Sequence, residues 1–282
     1  MKILFLRKKQ CLVSFLSLLL ICSLYYSSSN FLDQAAMVDG EPYYQGSGAN
    51  NKISLTINVD WGEEFLPDIL KILDEANVKA TFFLTGRWTD KNPQLAQEIA
   101  KRGHEIGNHA YIHQSPDQAG LAGNREEIRK TSLAIEKAIG SKTTLYAPPS
   151  GEKSQCVLDA AEAEGHTTIL WSVDTVDWKR PAPDVIMERV MKKIHPGAII
   201  LAHPTHPTME ALPALLKDLQ DQGYQLVTVS ENLELRSKDQ LLPQNNPEAA
   251  KDKAAVKDKI DSQDTKVLQN KPLATEDPKQ DQ

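Results

Sequence analysis

Disulfide bonds are excluded from most of this chain. Of three cysteines among 282 residues, Cys11 and Cys22 lie in an apolar leader, so Cys156 stands alone and cannot take part in a disulfide framework. The last stretch lacks something else: from Lys238 to Gln282 there is no glycine and no aromatic residue, while Lys, Asp, Gln and Pro dominate. Such a composition cannot bury enough apolar surface to offset chain entropy. Residues 237–282 are therefore expected to form a disordered charged tail, a solvated spacer whose charges nearly cancel. A strong excess of basic charge is also missing, with 32 Lys and Arg against 38 Asp and Glu and a net charge of −6. That balance argues against a nucleic-acid partner. Nothing in it sets an oligomeric state.

The leader has a clear pattern. A basic start ending in Arg7-Lys8-Lys9 precedes the apolar run 11–26, as in an export signal. The run is slightly short of the ~20 residues of a comfortable spanning helix. The small residues after it offer no clean A-x-A site, which favours an uncleaved anchor over a cleaved peptide. Ile21 before Cys22 argues against lipoprotein processing. The expectation is a signal peptide or membrane anchor over 1–28, a linker over 29–49, and a folded domain over 50–236. That domain would lie outside the cytoplasm, membrane-associated through its N-terminal segment or secreted to the cell wall.

The folded part alternates between two periodicities. Strand-like runs fall at 53–58, 79–84, 105–108, 143–147, 167–173, 198–202 and 225–229. Helical spacing falls at 65–76, 94–102, 125–139, 154–164, 183–193 and 209–222. Four of these helices stop at Gly103, Gly140, Gly165 and Gly223, residues suited to the left-handed turn that closes a helix. Strands separated by helices imply a parallel sheet with right-handed crossovers. Asp60, His109, Pro148-Pro149, Asp174 with Asp177, and His203 each follow a strand. Polar groups from so many strands meet at one face in a barrel, whereas an open sheet favours a single switch point. The expected class is α/β, an irregular barrel.

Only seven histidines occur, and His109 and His113 are four apart. One helical turn would bring them onto one face, where imidazole nitrogens bind zinc at about 2.0–2.1 Å. His104 precedes a strand and reads as structural. His166, His195 and His206 match no role, although His206 is close to His203.

Together, NVDWG (58–62), HEIGNHAYIH (104–113), APPSG (147–151), DTVDW (174–178) and GAIILAH (197–203) resemble the polysaccharide deacetylases of the NodB-homology type, carbohydrate esterase family 4, and within them the YlxY-like branch. The resemblance covers about 52–233 and implies an irregular (β/α)7 barrel. It also implies a divalent metal, usually zinc, held by one Asp and two His, here His109 and His113. A further Asp acts as base toward metal-bound water, and a late His, here His203, acts as acid. Such a metal lowers the pKa of bound water from 15.7 to about 7, a positioned donor shares the oxyanion, and the leaving amine needs a proton. The resemblance assigns Asp177 to hold His203, the backbone near Ser150 to the oxyanion and Trp178 to the sugar cleft.

Two departures follow. The family's first motif reads TFDDG. Aligned on the glycine, Asp60 takes the base position and Trp61 replaces the metal Asp. Aligned on Thr56, Asn58 and Val59 take those places and two residues are inserted. Either way one carboxylate remains, with Glu63 and Glu64 just beyond. The third motif's Arg is Ala147, so an unsupported base should have a raised pKa. Two functions stay open: a metal-dependent enzyme removing N-acetyl groups from peptidoglycan or another N-acetylglucosamine polymer, and an inactive glycan-binding envelope protein on the same fold.

Overall fold

The computed structural model describes residues 41–235. The expected leader 1–28 and tail 237–282 fall outside the described residues. Among those described, no helix is long and apolar enough to cross a membrane.

Alternation along the first strand organises the molecule. In β1 (Lys52–Val59), Ile53, Leu55, Ile57 and Val59 are buried in one cluster with the apolar stripe of helix α1 (Leu66–Glu75), which presents Leu66, Ile69, Leu70 and Leu73. Side chains in a strand alternate between faces, so Ser54, Thr56 and Asn58 point the other way, into the barrel. The chain continues through β2 (Thr81–Leu84), α2 (Gly86–Lys91), α3 (Pro93–Lys101), β3 (Glu105–Asn108) and α4 (Pro116–Ile139). It then passes β4 (Leu145–Tyr146), α5 (Gln155–Ala163), β5 (Thr167–Thr168), β6 (Val173–Asp174) and α6 (Pro183–Lys193). The last elements are β7 (Ile199–Ala202), α7 (His206–Asp221), β8 (Gln225–Leu226) and α8 (Val229–Asn232).

The strand order is β5-β4-β3-β2-β1-β7-β6, with β8 also pairing β1, and all the ladders are parallel. β8 takes Lys52 and Ile53, while β2 takes Thr56 to Val59. The sheet curls into a half-barrel whose interior holds a second apolar cluster, Phe83, Leu145, Ala147, Ile169, Ile199, Val229 and Leu233.

Three elements differ from the sequence reading. The single strand expected over 167–173 divides, because it changes neighbours midway. Ile169 N–H donates to Tyr146 O on one edge, whereas Ser172 N–H donates to Ile199 O on the other. The strand expected over 225–229 stops early because Thr228 caps α8 in a reciprocal capping box with Glu231. Helix α2 was not anticipated; Thr85 caps it by accepting from Trp88 N–H. The end of the expected linker also joins the fold. Tyr43 N–H donates to Thr168 O, Leu170 N–H to Tyr43 O, and Gly46 N–H to Gly197 O, so residues 43–46 form a strap between the two sheet edges.

Candidate functional site

The carboxyl ends of the strands open into a cavity of about 510 Å³ lined by Asn58, Asp60, Trp61, His109, His113, Ser150, Trp171, Asp174, Trp178, Leu201 and His203. Of the four tryptophans in the chain, Trp61, Trp171 and Trp178 stand on this wall.

Asp60 leaves the end of β1. The ladders to β2 and β7 run along that strand as far as Val59 and Ile57, so Asp60 and Trp61 lie beyond the paired residues. At Gly62, φ is 82° and an added Cβ would lie 2.2 Å from Pro204 O. Only glycine fits this turn, which seats the Asp60–Trp61 segment against the residue after His203. The Asp60 carboxylate accepts from Thr85 Oγ1 at 2.8 Å and from Arg87 Nε at 2.8 Å, and it pairs again with Arg87 Nη2. Burial alone would raise its pKa. The hydrogen bonds from Arg87 and Thr85, with the charges of Arg87 and His113, outweigh that and hold the pKa below the usual carboxylate value. The loss of the motif arginine at Ala147 was expected to raise it. The structure corrects that expectation, because a guanidinium arrives from α2 instead.

His109 follows β3 and is almost wholly buried. Its Nδ1 lies 2.7 Å from Ala147 O. A carbonyl only accepts, so Nδ1 carries the proton and Nε2 keeps its lone pair. Burial is the main cause that drives its pKa down to about 3, and the ring is neutral at physiological pH. His113 meets it edge to face at 5.3 Å between centroids. The expected helical turn does not bring them together. Residues 109–113 form a loop with Ala110 at φ 61°, pinned by Glu127 Oε2 accepting from the N–H groups of Tyr111 and Ile112.

On the opposite wall Asp177 is 0% exposed. Its Oδ1 lies 2.8 Å from His203 Nδ1, while Oδ2 accepts from His203 N–H at 2.6 Å and from Thr208 Oγ1 at 2.6 Å. This leaves Nε2 as the free imidazole nitrogen of His203. Ser150 lies in the short turn Pro149–Gly151 at φ 57°. Trp178 is 53% exposed at the rim with Lys179 over its ring. Trp61 lies parallel to His203, with 6.1 Å between centroids and 7° between planes.

The cavity thus gathers Asp60, His109, His113, Ser150, Trp178 and His203, and Asp177 touches it through His203. His104 accepts from Ala80 N–H and packs on Phe82, His166 bonds Thr143, and His206 meets Phe65 and Glu210. Sequence reasoning missed Arg87, Trp171 and Thr208. Arg87 also sits just past a strand end, the signal used for the other polar groups. Trp171 was hidden inside a run read as strand.

The side chains do not make up a three-ligand metal set. Two imidazoles converge, but the next position carries an indole and Asp60 is engaged by Arg87 and Thr85. Among the described residues no group of three His, Cys, Asp or Glu side chains is placed to hold an ion.

The family model for polysaccharide deacetylases matches residues 45–169. The chain is 49% identical over 193 residues to the uncharacterized protein YlxY of Bacillus subtilis, covering 68% of this chain and 60% of YlxY. It thus spans less than two thirds of that relative's length. It is 36% identical over 193 residues to a peptidoglycan-N-acetylglucosamine deacetylase of Bacillus cereus, covering 66% of this chain and 70% of that one. Among solved structures it is similar to BA3943 of Bacillus anthracis, described as a CE4 family pseudoenzyme, with 45% identity, a TM-score of 0.68 and coverage of 70% of each chain. A BA3943 mutant described as having restored enzymatic activity is 43% identical, with a TM-score of 0.68, covering 70% of this chain and 72% of that one.

Proposed function

Given that the chain belongs to the polysaccharide deacetylase family, in its YlxY-like branch, we propose that it binds an acetylated cell-envelope glycan in the deacetylase cleft without hydrolysing it at an appreciable rate. The observation that carries this reading is Trp61. Aligned on Gly62, Trp61 takes the place of the family's metal-binding Asp, and its indole stacks on His203. The base position, Asp60, is tied into a two-pronged ion pair with Arg87. With two imidazoles and no third ligand among the described residues, the family's divalent metal, zinc, lacks its charged anchor.

The binding half of the function is better supported. Three indoles line one cavity, and flat aromatic faces pack well on the apolar faces of sugar rings. The peptidoglycan deacetylases among the relatives act on the wall polymer, which suits an N-acetylglucosamine or N-acetylmuramic acid polymer as ligand and an extracytoplasmic site of action, reached through the N-terminal leader.

A second reading, a deacetylase of low activity, rests on the held geometry of His203 with Asp177 and on the open Nε2 of His109. One experiment separates the two. Full-length protein is incubated with zinc or cobalt and an N-acetylglucosamine oligomer, with acetate release and oligomer binding measured together. Binding without acetate is the expected result. Acetate release above the metal-only blank overturns the non-hydrolytic reading, and no binding overturns the glycan reading.

A further inference from the structure

We propose that Lys179 selects glycan chains that carry a carboxylate, an inference that rests on the glycan-binding reading above and narrows its ligand. Part of the cavity rim is the short turn Asp177–Lys179. Residues with positive φ flank it at both ends, Val176 at 54° and Arg180 at 53°. For a β-branched valine that conformation is an outlier, and such strain persists only where the surroundings over-determine it. Here they do. Asp174 Oδ1 accepts from Val176 N–H at 2.8 Å, Asp177 O accepts from Arg180 N–H at 2.8 Å, and Thr175 O accepts from Arg189 Nη1 at 3.0 Å. The buried Asp177 anchors the turn from within, while Trp178 and Lys179 are left exposed.

The Lys179 ammonium lies 4.8 Å from the centroid of the Trp178 ring, and among the described residues no carboxylate pairs with it. Trp178 itself lines the cavity, so the cation rests on an aromatic face at the cleft. An exposed cation–π contact is weak, whereas a hydrogen bond between an ammonium and a carboxylate is strengthened by charge on both sides. The flexible lysine stem can exchange one for the other. A neutral sugar packing on that face must push the ammonium into water with nothing in return. A sugar bearing a carboxylate gives the ammonium a new partner as it leaves the ring. Asp60 and Asp174 line the cavity proper, and like charges set side by side are unfavourable. The ligand's carboxylate therefore belongs at the rim beside Lys179, with a neutral acetylated ring inside. On an envelope glycan two groups supply that chemistry: a lactyl ether on the sugar, or the carboxylates of a peptide joined to it.

The test titrates full-length wild type, Lys179→Gln and Lys179→Arg calorimetrically with three forms of one tetrasaccharide of alternating N-acetylglucosamine and N-acetylmuramic acid. One form has free lactyl carboxylates, one has them converted to neutral methyl amides, and one carries stem peptides there. At low salt, wild type is expected to bind an acid form roughly fivefold more tightly than the methyl amide, and whichever acid form it prefers identifies the source of the carboxylate. That ratio should fall toward one at about 1 M salt, where charges are screened within ~3 Å. Lys179→Gln should bring the ratio to about one at low salt as well, and Lys179→Arg should keep it. The comparison of acid with amide in wild type needs no variant to fold. Equal affinity of wild type for all three forms, or an undiminished ratio in Lys179→Gln, would overturn the role of Lys179 while leaving glycan binding intact. If wild type binds none of them, the glycan reading fails and this selection goes with it.

Discussion

On the β6–β7 side of the cavity, Asp177 receives three contacts and fixes His203 in one orientation. Across from it, on the β3 side, His109 is held as firmly by Ala147, yet His113 is exposed on a loop and the neighbouring position from β1 carries Trp61. The difference is one of chemistry more than order. Each wall has one imidazole fixed by a buried partner, His203 by Asp177 and His109 by Ala147 O, so the fold preserves a position on each. What the His109 wall lacks is a negative charge free to act. Asp177 serves its wall because its partners all donate to it, whereas Asp60 is neutralised by a guanidinium that also donates to it.

The largest way to break this contrast is Asp177→Ala. It would strand the His203 N–H, the imidazole and the Thr208 hydroxyl in a buried site, at a cost of about 3–5 kcal/mol. A thermal or urea denaturation series reads that loss, and a change under ~1 kcal/mol would show that the wall does not depend on Asp177. Next, Trp61→Asp should supply the missing charged ligand. Zinc affinity, measured by competition with a chromophoric chelator, is expected to rise by roughly 100-fold, with acetate release appearing above the wild-type blank. An unchanged zinc affinity would remove Trp61 from the explanation.

Arg87→Gln probes the neutralised carboxylate. Arg87 is 44% exposed and Asp60 8%, so solvent screening limits the pair to about 1 kcal/mol. Because the folded Asp60 pKa lies below its ordinary 3.8, the pair's stabilisation is present above that value and lost as pH falls through the folded one. Arg87→Gln should therefore move the acid-unfolding midpoint upward, and coincident acid limbs would count against the pairing. The imidazoles give a related slope. Burial pushes His109 to about 3 and His104 to about 4, below the 6.5 expected for an unfolded ring. Their neutral burial contributes stability in full above pH 6.5, and that contribution declines as pH falls toward those values. Histidine NMR titration at pH 5 should find both rings neutral. Smallest of all, Trp178→Ala at the rim should weaken oligomer binding by roughly fivefold without altering thermal stability, and an equal affinity would remove Trp178 from the cleft.

Much of the architecture was legible in the sequence because it rests on periodicity. The alternation of β1 and the i, i+3, i+4, i+7 stripe of α1 are local patterns, and the residues after the strands pointed to one face. The strand expected over 167–173 was misread for a tertiary reason: its partners change from β4 to β7, and no local pattern records that. The histidine pair was found by its spacing, yet a loop anchored by Glu127 unites it rather than a helix. Arg87 escaped notice because its role depends on a carboxylate 27 residues earlier. A charge that arrives from another element is invisible until the fold brings the two together.

The glycine seat at residue 62 has one more consequence. With Gly62 pressed against Pro204 O, the backbone carrying residue 61 has almost no freedom to drift, whatever side chain it bears. Structurally, the path to a carboxylate at residue 61 is a single substitution. In the genetic code it is remote, since tryptophan has one codon and every base must change to reach aspartate. The turn that seats residue 61 thus separates the backbone geometry of the site from the side chain it carries.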